Sequence, residues 1–119
     1  MVFLTSEMYP FAKVGGLADV AGSLPPELKK AGVDISVFMP FWSRAIDLKK
    51  FEVADTGVKV RVNMGGKEFN SRVLRSFYKG VDVFLIENEA YYGREGLYGT
   101  SEGDYPDNAE RFAFFVRAV

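Results

Sequence analysis

Apolar residues fall in short runs separated by glycine, proline and charge, and their period changes along the chain. Residues 2–6 are apolar and β-rich, which predicts a short buried strand. Residues 7–16 hold Pro10 and two glycines and predict a loop. From 17 to 31 the period lengthens, placing Leu17, Val20, Ala21, Leu24 and Leu28 on one face of a helix. Pro25-Pro26 is awkward there, because proline gives no N–H to the helix ladder and crowds the preceding turn. A kink or restart is expected, with one of the two in a first helical turn. Gly32 follows Ala31 as a C′ glycine. Residues 33–40 predict a second strand. Strand, glycine turn, helix and strand within forty residues make a βαβ unit, with a right-handed crossover and parallel pairing.

Beyond it the pattern turns antiparallel. Residues 43–50 predict a short helix. Residues 58–62 alternate as Val-Lys-Val-Arg-Val, a half-buried strand. Met64-Gly65-Gly66-Lys67 signals a hairpin leading into a partner strand at 68–78. Lys79-Gly80 is another turn, before a strand at 81–87. Residues 89–105 are rich in glycine and tyrosine and predict a long ordered loop, of a length that is usually functional. Asp107 or Asn108 can cap a final helix, with Phe112, Phe115, Val116 and Val119 on its apolar face. That pattern stops without glycine, proline or polar tail, so truncation is expected. The expected fold is α/β: a Rossmann-like three-layer domain with an inserted antiparallel hairpin, residues 1–119 being one incomplete domain.

Composition narrows the function. A chain of 119 residues, 48% hydrophobic and 26% charged, suits one globular domain or part of one. A formal net charge of -1 offers no basic excess for nucleic acid. The apolar runs are too short to span a bilayer. No secretory signal is expected, since no basic segment precedes the apolar start and Glu7 follows at once. Cysteine and histidine are both absent, which removes disulfides, thiolate metal sites and the commonest general base.

Lys13-Val14-Gly15-Gly16-Leu17 lies between the first strand and the first helix, outside the carboxyl end of the strand, where open α/β sheets bind ligands. The first N–H groups of a helix lack internal partners, and the helix dipole adds positive charge. Glycines let a phosphate approach the backbone, and a lysine just before them can meet it with full charge. The motif is neither a G-x-G-x-x-G nor a P-loop. On physics alone, phosphate binding and plain turn chemistry stay equally open.

The stretch Thr5-Ser6-Glu7-Met8-Tyr9-Pro10-Phe11-Ala12-Lys13-Val14-Gly15-Gly16-Leu17-Ala18-Asp19-Val20 resembles the N-terminal signature of glycogen and starch synthases. Gly32-Val33-Asp34-Ile35-Ser36-Val37-Phe38-Met39-Pro40 resembles the family's second strand. Tyr92-Gly93-Arg94-Glu95-Gly96-Leu97-Tyr98-Gly99 resembles its aromatic and glycine loop, and Tyr105-Pro106-Asp107-Asn108-Ala109-Glu110-Arg111-Phe112 its last helix start. The motifs come in the family's order over nearly the whole chain.

The resemblance implies the N-terminal part of a GT-B enzyme, two Rossmann-like domains facing a cleft. Such an enzyme transfers glucose from ADP-glucose to the non-reducing end of an α-1,4-glucan, glycogen or starch, with retention and without a metal or other cofactor. It implies that Lys13 contacts the donor diphosphate, that Gly15 and Gly16 offer N–H groups to phosphate, and that Asp19 faces the sugar as a catalytic candidate. Tyr98 would line a sugar site, and Asp107, Asn108 and Arg111 the cleft wall. The compartment implied is bacterial cytoplasm or plastid stroma. No nucleic-acid or membrane partner is implied; the partner would be the enzyme's own C-terminal domain. The family's histidine-rich segment and second domain lie beyond these residues, so the chain alone is expected to be inactive.

Plainer readings stand beside these. Lys13 is then a solvated lysine, Asp19 a first-turn acid favoured by the dipole, Tyr98 loop packing, and Asp107 and Asn108 helix caps. Arg111 is an ion-pair partner of Asp107 or Glu110. Glu7 faces the cleft or stabilises the loop, and Trp42 packs rather than stacks on sugar. Two other functions compete. A dinucleotide oxidoreductase lacks the acid that should end strand two. A carbohydrate-binding module would use the aromatic loop, but such modules are usually all-β.

Overall fold

The computed structural model describes residues 1–119. Its main sheet has the order β1-β2-β5-β4-β3. β1 (Val2–Leu4), β2 (Ser36–Pro40) and β5 (Val81–Ile86) run parallel; β4 (Lys67–Tyr78) and β3 (Ala54–Met64) continue the sheet antiparallel. The parallel β1–β2 pair is the one the βαβ pattern predicts; the parallel pairing of β5 with β2 is not foreseen by it. Both turns also take the expected form: Gly65 and Gly66 have φ of 60° and 76°, as a two-residue hairpin with the sheet's twist requires.

α1 (Gly16–Lys30) connects β1 to β2, and Gly32, at φ 92°, ends it. The structure corrects two expectations here. The helix runs through Pro25 and Pro26 without a restart. Its buried face is Ala18, Ala21, Gly22, Pro25 and Pro26, while Leu17, Val20 and Leu24 are exposed. The reason is a backbone contact. The loop after β1 crosses the helix so closely that Tyr9 N donates to Ala18 O at 2.9 Å. A Cβ on Gly22 would lie 2.6 Å from Tyr9 O. Only small residues fit under that crossing, so the larger apolar ones point away.

α3 (Asn108–Ala118) packs on the sheet's other side. Tyr78 and Phe69 are nine positions apart on β4 and point to opposite faces. Tyr78 meets Phe11 of the loop beside α1 at 6.1 Å, and Phe69 meets Phe114 of α3 at 5.3 Å. The three layers are therefore present. α3 covers only the hairpin end of its side; Val2, Leu4 and Phe77, on the same face, stay exposed. Within α3 the buried residues are Arg111, Phe114 and Phe115; of the expected apolar face, Phe115 is buried and Phe112 partly so, whereas Val116 and the following Val119 are exposed.

Two further expectations are corrected. Residues 43–50 form successive turns, not a helix: Ile46 N reaches Trp42 O, and the Asp47 side chain accepts Lys49 N. The aromatic segment is ordered but not plain loop. It holds α2 (Glu89–Tyr92), capped by the Asn88 side chain, and a small ribbon of β6 (Gly99–Thr100) and β7 (Gly103–Asp104).

Candidate active-site wall

β1 ends at the carboxyl edge of the sheet, and Thr5 N still reaches Phe38 O at 3.0 Å. The chain then turns inward at Glu7, which is 2% exposed. Its carboxylate is fully engaged. Oε1 accepts Gly15 N at 3.0 Å and Ala18 N at 3.1 Å; Oε2 accepts the Tyr98 hydroxyl at 2.9 Å. Gly15 is the N-cap of α1 and has no side chain to cap with. Glu7 does that work from eight residues upstream, where the helix dipole favours a negative charge.

This division of donors is specific. The N–H groups of Gly15 and Ala18 are taken, and those of Gly16 and Leu17 make no hydrogen bond within the chain. Gly16 is exposed and nothing lies within 4 Å of its ideal Cβ position, so the approach to these two donors is open. Beside them the Lys13 ammonium sits on Asp19, 2.8 Å from each carboxylate oxygen. Both side chains are about half exposed, 47% and 56%, so the pair is a weak, solvent-screened one. Asp19 thus meets Lys13 in this structure. Gly15's amide, expected to face phosphate, faces Glu7.

The second half of the wall comes from the aromatic segment. Tyr98 reaches Glu7, and its oxygen also lies 2.6 Å from Ser6 Oγ. Burial, with the nearby Glu7 charge, raises its pKa, which keeps the phenol protonated as the donor to Glu7; the Ser6 contact opposes the rise. Asn108 Nδ2 donates to Tyr98 O at 2.8 Å. Arg111 is wholly buried. Its Nε donates to Tyr91 O at 2.8 Å, and Nη1 to Leu97 O at 2.9 Å and Asn108 Oδ1 at 2.7 Å. The rings of Tyr105, Trp42 and Phe112 surround it at 4.8, 5.5 and 5.7 Å. Desolvation lowers its pKa, the Arg94 charge adding to the effect. Arg111 therefore holds the ends of the 91–97 segment rather than facing solvent. Its Nη2 has no partner.

Asp107 occupies the N-cap position of α3, as its plainer reading expects, and Asn108 is the first helical residue. No side-chain bond caps the helix at Asp107. Its carboxylate instead takes a two-pronged pair from Arg94, 2.7 Å on each arm, and that guanidinium holds its pKa below the usual carboxylate value. Trp42 is buried and donates Nε1 to Ser6 O at 2.7 Å, so it packs and does not present a face to a ligand.

Glu7 joins Gly15 and Tyr98 at the start of α1, where Gly16 also lies, and Lys13 and Asp19 pair with each other across that same helix end. Asn108 and Arg111 form the support behind Tyr98, while the Asp107 carboxylate is taken by Arg94. Sequence reasoning left Glu7 open and missed Arg94 as the partner of Asp107. No group of three or more acidic, histidine or cysteine side chains is placed to hold a metal ion. The largest cleft, about 380 Å³, lies on the flank of α1; it includes Asp19 and no residue of the turn at 13–17.

Comparisons with known proteins give the family and the fold. A family model described as the starch synthase catalytic domain matches residues 1–119. A glycogen synthase of Syntrophotalea carbinolica is 43% identical over 119 residues, covering 100% of this chain and 24% of that protein. One from Geotalea daltonii is 42% identical over the same 119 residues, again 24% of its length. The solved catalytic domain of Starch Synthase IV from Arabidopsis thaliana, bound to ADP and acarbose, superposes with a TM-score of 0.84 at 26% identity. It covers 98% of this chain and 23% of that one. The chain spans about a quarter of the length of the relatives it matches.

Proposed function

This chain belongs to the starch synthase catalytic-domain family, and on that premise we propose that it is the N-terminal part of a glucosyltransferase's first domain. The full-length enzyme moves glucose from ADP-glucose to the non-reducing end of an α-1,4-glucan, releasing ADP. The observation that carries this reading is the pair of free N–H groups at Gly16 and Leu17 beside the Lys13 ammonium. As the bond from glucose to the β-phosphate breaks, negative charge grows on the leaving diphosphate. Fixed donors and a cation stabilise that charge more in the transition state than in the ground state. The ADP held by the related starch synthase supports an adenosine diphosphate leaving group.

Lys13 has two competing anionic partners in this scheme, Asp19 and the diphosphate. The exposed Asp19 pair keeps the ammonium near the turn and yields to the more highly charged ligand. Asp19 then acts on the sugar side only after Lys13 has moved. Tyr98 and Glu7 form the floor beneath. The opposite wall, and the acceptor's positioning, come from the C-terminal domain of the same enzyme in the cytoplasm or plastid stroma.

The oxidoreductase reading has no support in the site. β2 ends in Met39 and Pro40, both buried, where a ribose-binding acid would be needed. An all-β binding module is excluded by the βαβ core. The test is incorporation of labelled glucose from ADP-glucose into glycogen by the full-length protein, with UDP-glucose and NAD binding as controls. Transfer from ADP-glucose is expected; its absence with a folded protein refutes the proposal. Residues 1–119 alone should show none.

A further inference from the structure

We propose that Glu7 is the positioning residue of the phosphate turn and that Tyr98 locks it in place; this rests on the functional reading above. Glu7 and Arg111 are the buried charged side chains, and the Glu7 carboxylate joins the start of α1 to Tyr98, 91 positions further along the chain. It ties the strand end, the glycine turn and the aromatic segment at a single carboxylate. Because it takes the Gly15 and Ala18 amides, it decides which donors remain. The anion is met by Gly16 and Leu17, the two N–H groups between those it holds. Without that carboxylate the Gly15 amide would join those of Gly16 and Leu17 as an open donor, Ala18 N keeping only its bond to Gly15 O, and the turn could rotate among them.

Glu7 makes no contact that a substrate could share. Oε1 carries two donors and Oε2 carries Tyr98, with Ser6 Oγ beyond it. Its influence on transfer is therefore indirect, through the geometry of the turn. Tyr98 then joins donor binding to the order of the 91–98 segment: its backbone carbonyl is held by Asn108, and Asn108 by Arg111.

Steady-state kinetics of the full-length enzyme test this, with ADP-glucose and glucan varied separately. Glu7→Ala should raise the donor KM by at least about tenfold, since misplaced contact groups are costly. Glu7→Gln keeps an acceptor oxygen toward Gly15 and Ala18 and should bring the donor KM back to within about threefold of wild type. Tyr98→Phe, the mildest change, should raise the donor KM and leave the glucan KM unaltered. A purely structural role predicts lost thermal stability with an unchanged donor KM in the folded fraction, and that result overturns the inference. So does a Tyr98→Phe effect confined to the glucan KM. If wild type itself does not use ADP-glucose, the functional reading fails. If wild type does and the variants match it, only the role of Glu7 fails.

Discussion

Tyr98 donates its hydroxyl to Glu7 Oε2 at 2.9 Å across 91 residues of chain. The bond joins the aromatic segment to the first loop at a buried point. Replacing Tyr98 by Phe leaves that carboxylate oxygen short of a donor, with Ser6 Oγ the nearest substitute. We expect a loss of about 1–3 kcal/mol, the range for an unsatisfied buried acceptor. Urea unfolding of the two proteins measures it; a difference within error would mean that Ser6 or water replaces the phenol completely.

Two glycines of α1 should respond oppositely to alanine. At Gly22 a Cβ would sit 2.6 Å from the Tyr9 carbonyl oxygen, a backbone atom that cannot swing aside. Gly22→Ala should destabilise by about 1–3 kcal/mol, the usual cost of overpacking. At Gly16 nothing lies within 4 Å. Gly16→Ala should be neutral or slightly stabilising, since alanine restricts the unfolded chain. Thermal denaturation of both variants decides; equal losses would contradict the crossing as the constraint.

These positions also show what the sequence could and could not tell. The strand, turn, helix and strand were legible because each depends on local pattern. The inward face of α1 was not. Leu17, Val20 and Leu24 have the period of a core face, but the loop backbone at Tyr9 crosses α1 at Ala18 and Gly22, so the buried face is the one with small residues and the leucines and valine point away from it. Residues 43–50 misled similarly: the Asp47 side chain holds a turn that competes with a helix. In the site, the turn and its lysine were visible as a motif. The role of Glu7 was not, because its partners lie 8, 11 and 91 positions away.

Arg111 anchors the support behind Tyr98, with three hydrogen bonds from a fully buried guanidinium. Arg111→Met keeps much of the volume and strands the Tyr91 and Leu97 carbonyls. It should cost more than about 3 kcal/mol, given two buried acceptors left open. Arg117→Ala removes one exposed contact to Asn63 O and should stay within about 0.5 kcal/mol. Equal effects in denaturation would show that Arg111 is not a structural anchor.

The Arg94–Asp107 pair makes stability depend on acid. Arg94 lowers the folded pKa of Asp107 below its ordinary value of 3.8. The pair's contribution is therefore fully present above the unfolded pKa and is lost as pH falls through the lowered folded value. Wild type and Asp107→Asn should differ in stability at neutral pH and converge in strong acid. A gap that stays constant with pH would contradict the pairing.

The most direct test of the phosphate turn is ADP-glucose binding by calorimetry to the full-length enzyme and its Lys13→Ala variant. Removing the Lys13 ammonium, which pairs with Asp19 in the first turn of α1, should weaken binding by at least about tenfold, the scale of a charge-assisted contact. Equal affinity in the two proteins would contradict the assignment of this turn to the donor diphosphate.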